Sequence, residues 1–264
     1  MIKTSKAVMK KSIYLLHILL ILLFIAGCAG KGGSKKGAGS EAAAVTVTDT
    51  GYTGIKQFYS HDKLIKEVTY KNGVVDGETR TYYSGGQLYQ TFNYVNGHKQ
   101  DTARWYYAEG QVFRATPFRN DTVDGIQKQY YRNGRLKAKI GYLKGHRTPL
   151  LEEFTATGKL ITDYPSITFS IEDNYFKSGS IRVNLATTDK QAKVKFYRGE
   201  FINGVFDSTK YEGIRSIDGR YYVDLKKTGT EQPGYINIIA SIITGMGNNY
   251  LTGKKIELPY KDLK

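Results

Sequence analysis

The chain has 264 residues, with 39 Lys or Arg against 24 Asp or Glu, for a formal net charge of +15. Its single cysteine excludes a disulfide framework and a structural zinc site built on thiolates. The basic excess is spread along the chain instead of being gathered on one segment, which argues against a nucleic-acid reader.

The first 27 residues read as a signal peptide. Lys3, Lys6, Lys10 and Lys11 precede a 14-residue apolar run, Ile13 to Ala26, which is too short for a comfortable membrane span. The run ends in Ile25-Ala26-Gly27-Cys28. This resembles the lipobox of bacterial lipoproteins, and the resemblance implies cleavage before Cys28 and its modification by palmitate-type acyl chains. Two or more such chains hold a protein firmly, at about 0.8 kcal/mol per buried CH₂. Ala29 follows where an aspartate would retain the protein. The resemblance therefore implies the outer membrane of a Gram-negative cell. Residues 28–53 read as the lipidated cysteine and a flexible tether, dominated by Gly, Ser, Ala and Lys, with nothing to bury.

Residues 54–164 are a repeat. Phe58-Tyr59 returns at Tyr82-Tyr83, Tyr106-Tyr107 and Tyr130-Tyr131, a step of 24 residues. Leu64, Leu88, Val112, Leu136 and Leu160 share a second phase. Gly86, Gly110, Gly134 and Gly158 share a third, and Gly73, Gly97 and Gly145 a fourth that Asp121 interrupts. Glycine or aspartate at such points predicts tight turns with positive φ. Leu88, Phe92 and Tyr94 share a face only in a strand. Each unit therefore reads as two short strands, and the region as an array of stacked β-hairpins. One hairpin cannot bury its aromatic face alone, whereas stacked neighbours can.

Tyr130-Tyr131-Arg132-Asn133-Gly134-Arg135-Leu136, followed by Tyr142 and Gly145, resembles the bacterial MORN-repeat-variant family, and Tyr82-Tyr83-Ser84-Gly85-Gly86-Gln87-Leu88 does so nearly as well. The third copy departs, with Ala108-Glu109-Gly110-Gln111-Val112 and Asp121. The resemblance covers residues 54–164. It implies a repeat fold and no catalytic residue; some members of the family are labelled antitoxin components.

From Pro165 the period stops, and residues 165–264 read as a second all-β domain. Alternating runs fall at Ile167 to Ile171, Ile181 to Ala186, Val194 to Ile202, Tyr221 to Leu225, Tyr235 to Ile243 and Lys255 to Leu258. Asn203-Gly204 and Asp218-Gly219 are hairpin-turn signals. These predict a β-sandwich with Tyr235 to Ile243 as a central strand. An immunoglobulin-like sandwich is one candidate, although no Cys…Trp…Cys signature is present.

Lys56, Arg80, Arg104 and Lys128 occupy one repeat phase, two residues before Phe58, Tyr82, Tyr106 and Tyr130. They predict a row of cations about 10 Å apart, each beside a ring. The row is either a binding stripe for a polyanion or a solvated face copied along with the fold. Trp105, the only tryptophan, sits among polar equivalents. It is either an exposed anchor for a partner or packing under the C-terminal domain. His98 and His146 lie two units apart, too far for one metal ion, so no metal or other cofactor is expected. No G-x-S-x-G, H-E-x-x-H or phosphate-loop pattern appears.

The reading is a non-catalytic envelope lipoprotein, held to the membrane by lipid, whose repeat surface binds a protein or an anionic glycan or lipid. No nucleic-acid partner is expected. One alternative is an immunity or antitoxin protein neutralising a co-encoded toxin. A second is an envelope glycan hydrolase.

Overall fold

Two kinds of tight turn alternate along the repeat region. At Asn72-Gly73, Asn96-Gly97 and Lys144-Gly145 both central residues have positive φ, the type I′ geometry whose twist matches antiparallel strands. At the opposite edge the loops are wider. The Tyr83 amide donates to the Gln87 carbonyl and the Gly86 amide to Tyr83, and the same pair recurs from Tyr107, Tyr131 and Thr155. The computed structural model describes residues 51–190 and 193–264, all within one compact unit. The signal peptide, Cys28 and all but the last residues of the tether lie outside the described residues.

Between these turns run β1 (Gly54–Ser60), β2 (Lys63–Lys71), β3 (Val74–Tyr82), β4 (Leu88–Val95), β5 (His98–Tyr106), β6 (Val112–Arg119), β7 (Thr122–Val123), β8 (Gly125–Tyr130), β9 (Leu136–Leu143), β10 (His146–Phe154) and β11 (Leu160–Ile161). They form one antiparallel meander in chain order, with the short β7 beside β6. The expected hairpin array is thus a single continuous sheet. Folded structure begins earlier than Gly54. The Tyr52 carbonyl accepts the Gly73 amide, and Thr53 Oγ1 accepts the Asn72 amide, so Tyr52 and Thr53 belong to the sheet edge and not to the tether.

The period holds from the second unit and slips in the first. Tyr82 faces Leu88, Tyr106 faces Val112, Tyr130 faces Leu136 and Phe154 faces Leu160. In the first unit Tyr59, not Phe58, faces Leu64. That loop is one residue shorter, and His61-Asp62 turn it with positive φ. Tyr59 is therefore the structural equivalent of Tyr82, and Phe58 of Thr81. Lys56 moves with them. It stands opposite Val68, whereas Gln57 stands opposite Glu67, which in turn faces Arg80.

Three contacts recur from unit to unit. The Tyr83 hydroxyl donates to the Tyr106 carbonyl at 2.7 Å, Tyr107 to Tyr130 at 3.0 Å, and Tyr131 to Phe154 at 2.7 Å. On the other edge the turn amides of Gly97, Asp121 and Gly145 reach the carbonyls of Val75, Lys99 and Val123 in the preceding unit. Asp76, Gln100 and Asp124 accept the amides of Asn96, Asn120 and Lys144 through their side chains. Asp121 replaces a turn glycine at φ 64°. Its carboxylate accepts the Lys99 amide at 2.9 Å and pairs with His98 Nδ1 at 2.7 Å. The Lys99 amide first, and His98 second, hold that carboxyl below its usual range.

The rings are less buried than stacking alone predicts. Most aromatic side chains of the sheet are half-exposed, and they contact each other along it. Tyr83 meets Tyr89 at 4.9 Å, Tyr107 meets Phe113 at 5.2 Å and Phe92 meets Trp105 at 5.3 Å between ring centres. The buried apolar cluster of the sheet is Ala138, Ile140 and Leu151, at the end where the C-terminal domain packs.

That domain comprises β12 (Ile167–Asn174), a single helical turn α1 (Tyr175–Ser178), β13 (Ser180–Thr187), β14 (Lys193–Arg198), β15 (Glu212–Ile214), β16 (Ser216–Ile217), β17 (Arg220–Lys226), β18 (Tyr235–Ile243) and β19 (Asn249–Glu257). Two sheets of order β12-β13-β17-β16 and β15-β14-β18-β19 face one another. Ile181, Val183, Leu185 and Leu225 from one sheet, and Phe196, Ile236, Ile238, Ala240, Ile242 and Ile256 from the other, form the core. This is the immunoglobulin strand order, ABED against CFG with one added edge strand. Tyr235–Ile243 is central, between β14 and β19. The Asn203-Gly204 and Asp218-Gly219 turns have the expected positive φ.

The sandwich is pinned to the last two repeat units. Glu153, 1% exposed, accepts hydrogen bonds from Thr244 Oγ1 at 2.8 Å and Asn248 Nδ2 at 2.7 Å. Gln129 Nε2 donates to Asn248 Oδ1, and Arg147 to the Asn249 carbonyl. Tyr164 stacks on Tyr250 at 4.6 Å and accepts the Glu153 amide. Burial, and then the Glu153 charge, push the Tyr164 hydroxyl up to about 12.

Replacing Tyr83, Tyr107 and Tyr131 with Phe removes three hydroxyl donors and leaves the rings. Each substitution is expected to cost about 1 kcal/mol, read from urea unfolding of the single and triple variants. Tyr59→Phe, whose hydroxyl among the described residues bonds to Gln57 within its own strand, is expected to cost less.

Candidate functional site

The sheet register sorts the basic residues by face. Arg80, Thr91, Arg104, Ala115, Lys128, Lys139 and Glu152 stand opposite one another, strand by strand, from β3 to β10. Residues paired across strands share a face. Arg80, Arg104 and Lys128 therefore form the expected row, one per unit and about 10 Å apart at two strand spacings. Lys56 is absent from it, because the shorter first loop shifts β1 by one residue and a one-residue shift reverses the face. Its ammonium lies over the Tyr52 and Tyr70 rings, at 4.7 and 5.4 Å.

The ends of the row are neutralised and its middle is open. Arg80 Nε lies 2.6 Å from Glu78, and Arg80 Nη1 3.9 Å from Glu67. Tyr82 donates to the same Glu67, and that bond is the main reason its carboxyl sits below the usual range. At the other end Lys139 Nζ pairs with Glu152 at 2.8 Å. Between them Arg104, among the described residues, makes one hydrogen bond, to the Thr102 carbonyl at 3.4 Å, and no ion pair, although it shares a shallow depression with Glu78 and Asp101. Among the described residues Lys128 has no acidic partner. Both side chains are exposed, and both line a shallow, open concavity of about 470 Å³ with Thr102, Ala115, Ile126 and Tyr130. The sequence-derived stripe of four cations thus reduces to two neighbouring cations over a partly apolar floor.

The ring partners differ from expectation. Lys128 and Tyr130 line the same concavity, yet among the described residues none of Arg80, Arg104 and Lys128 lies over a ring. Besides Lys56, the cations of the sheet that do are Lys99 over Phe92, Arg114 over Trp105, Arg132 over Tyr107, Lys137 over Tyr131, Lys139 over Phe154 and Arg147 over Tyr142. Phe58, opposite Lys66, belongs to a different row from Tyr82. Trp105 is 8% exposed, flanked by Phe92 and covered by the Arg114 guanidinium at 3.9 Å. Neither sequence reading of Trp105 anticipates this cover. Lys139 and Arg114 carry little periodic signal, since the equivalents of Lys139 are Glu67, Thr91 and Ala115, and those of Arg114 are Lys66, Gln90 and Ala138. Only the register brings them into the rows.

His98 pairs with Asp121, and His146 lies 3.9 Å from Asp207. Among the described residues no group of three or more His, Cys, Asp or Glu is placed to hold a metal ion. No helix among them is long and apolar enough to cross a membrane.

Three segments of the chain, residues 55–72, 75–96 and 123–144, match the MORN repeat variant. They coincide with β1–β2, β3–β4 and β7–β9, and they leave out the divergent third copy. No curated protein and no solved structure matches the chain. The similarity to MORN repeats supports a binding role for the repeat sheet.

Proposed function

We propose that the chain is a non-catalytic, lipid-anchored binding protein of the cell envelope, and that its repeat sheet holds an anionic partner at Arg104 and Lys128. The observation that carries this reading is the pair of cations on adjacent units, without carboxylate partners, above a concavity floored by Ala115 and Ile126. Arg80 and Lys139, at either end of the row, have carboxylate partners. An unneutralised pair attracts an anionic surface and steers its approach. The partner class is a protein or a glycan bearing carboxylates, or an anionic lipid headgroup. The lipobox-like Ile25-Ala26-Gly27-Cys28 supports the anchor and the outer-membrane address.

Two experiments test the reading. In pull-downs from envelope extracts, Arg104→Gln with Lys128→Gln is expected to lose salt-sensitive capture at least tenfold, while Arg80→Gln changes it little. Equal losses from both variants would remove the site. Cys28→Ala is expected to shift the protein from the membrane to the soluble fraction, and full retention on membranes would contradict the anchor.

A further inference from the structure

The sandwich has two ends. Ile167 and Thr187 pair at the end that follows the repeat sheet, and Asn174 and Ser180 pair at the other. The second end carries the most exposed large apolar side chain among the described residues. Phe176 is 89% exposed, and Ile55 follows at 59%. Phe176 projects from the single turn α1, between β12 and β13. Below it Tyr175 stacks on Tyr260 at 3.7 Å, and Phe176 meets the two rings edge-on at 5.2 and 5.8 Å. The Tyr175 hydroxyl donates to Asp262 at 2.8 Å, and the Tyr260 hydroxyl to Asp173 at 2.8 Å. The polar ends of these rings are therefore taken up within the fold, and Phe176 stands on them as an apolar point. Singly exposed apolar residues are ordinary; a phenyl ring propped on two fixed rings at the tip of a turn is a shaped feature.

Charge indicates what the point meets. The Lys227 amide donates to the Gly179 carbonyl, and Lys226 and Lys264 exchange backbone hydrogen bonds at 2.9 and 3.0 Å. These contacts gather Lys177, Lys226, Lys227, Lys261 and Lys264, all exposed, at one end of the sandwich. The acidic side chains among them are already engaged. Asp173 and Asp262 accept the tyrosine hydroxyls, and Glu231 lies 3.9 Å from Lys261. Lys227 lies over the Tyr175 ring at 4.7 Å, while Lys177 and Lys226 make no ion pair among the described residues. An apolar ring at the tip, tyrosines behind it and lysines around them is the order in which a bilayer presents acyl chains, interface and anionic headgroups. A fluid surface closes around a projecting ring without a preformed pocket, and lysine stems let their ammoniums reach phosphates while the ring goes deeper. We propose that Phe176 and its lysine rim touch down on an anionic lipid surface and so orient the sandwich on the membrane. One ring is too small to hold the chain there alone, so the contact rests on the lipid anchor proposed at Cys28 and adds orientation to it. It is independent of Arg104 and Lys128.

The full chain with Ser178→Cys, purified from envelope membranes, is labelled with an environment-sensitive fluorophore at that thiol. It is then reconstituted on vesicles of phosphatidylcholine, alone or mixed with phosphatidylglycerol, with or without a nitroxide on the acyl chains. Ser178 is exposed and closes the same turn, so Phe176 stays in place. On the mixed vesicles the emission is expected to shift to the blue and to be quenched by the nitroxide, less so on phosphatidylcholine alone or in high salt. Phe176→Ser lowers the quenching about tenfold, and Phe176→Leu retains most of it. Lys177→Gln weakens it on the mixed vesicles alone. A label at Ile217→Cys, 51% exposed and near the other end of the sandwich, stays unquenched. Phe176→Ser leaves the urea midpoint unchanged, because the ring is nearly all in solvent. An unquenched Ser178 label on a chain that floats with the vesicles would overturn the proposal and leave the anchor standing. So would equal quenching at Ser178 and Ile217, or quenching indifferent to Phe176→Ser. A blue shift without vesicles that grows with protein concentration would make the occupant a second copy and overturn it as well. A chain that does not float removes the anchor and this contact together.

Discussion

The hydrogen bond from a tyrosine hydroxyl to the backbone carbonyl of the next unit is the contact on which the repeat sheet depends. A lone hairpin is marginal in water, and this sheet lacks a second layer of comparable size along most of its length. What joins one hairpin to the next, beyond the shared strand ladder, is the hydroxyl–carbonyl series from Tyr83, Tyr107 and Tyr131. Turn amides and the acceptors at Asp76, Gln100 and Asp124 stitch the other edge. Each bond contributes only about 1 kcal/mol net. Because each ties a unit to its neighbour, stability is shared along the row as in a one-dimensional array. The series stops before the first unit, where Ser60 stands at the place of Tyr83, and it ends at Phe154, beside the buried Glu153 that receives the sandwich.

That arrangement leaves both faces of the sheet available. A fold stabilised at its edges by backbone-directed contacts does not need to cover its faces with apolar residues. One face can carry Arg104 and Lys128, and the other Trp105 and Arg114. Polar side chains at these positions would be costly in a two-layer core. Here they are tolerated, and Arg104 and Lys128 stay exposed and within reach of a partner.

Much of this was legible in the letters because 24 is an even number. An even period returns each residue to the same face of a strand, so Arg80, Arg104 and Lys128 could be placed together without coordinates. The type I′ turns were equally plain, since Asn-Gly and Asp-Gly announce positive φ. The slip in the first unit was hidden by chemistry. Phe58 and Tyr59 are both aromatic, so a loop shortened by one residue still presents a ring in the expected place. Lys56 was misplaced for that reason. Arg114 over Trp105 was invisible because it joins residues nine apart through a register, with Lys66, Gln90 and Ala138 at the equivalent positions. The attachment of the sandwich rests on Glu153 meeting Thr244 and Asn248, a contact with no periodic counterpart. The strands of the sandwich and its central Tyr235–Ile243 followed from alternation, whereas the helical turn at Tyr175–Ser178 carried no pattern long enough to read.

Amide hydrogen exchange resolved along the repeat region measures the central claim directly. If units are coupled through the hydroxyl–carbonyl series and anchored at Glu153, protection rises along the sheet. Amides of β1 and β2 exchange first, those of β3 to β6 are intermediate, and those of β9 and β10 are slowest. Uniform protection from β2 to β10, or slowest exchange in the first unit, would contradict the account.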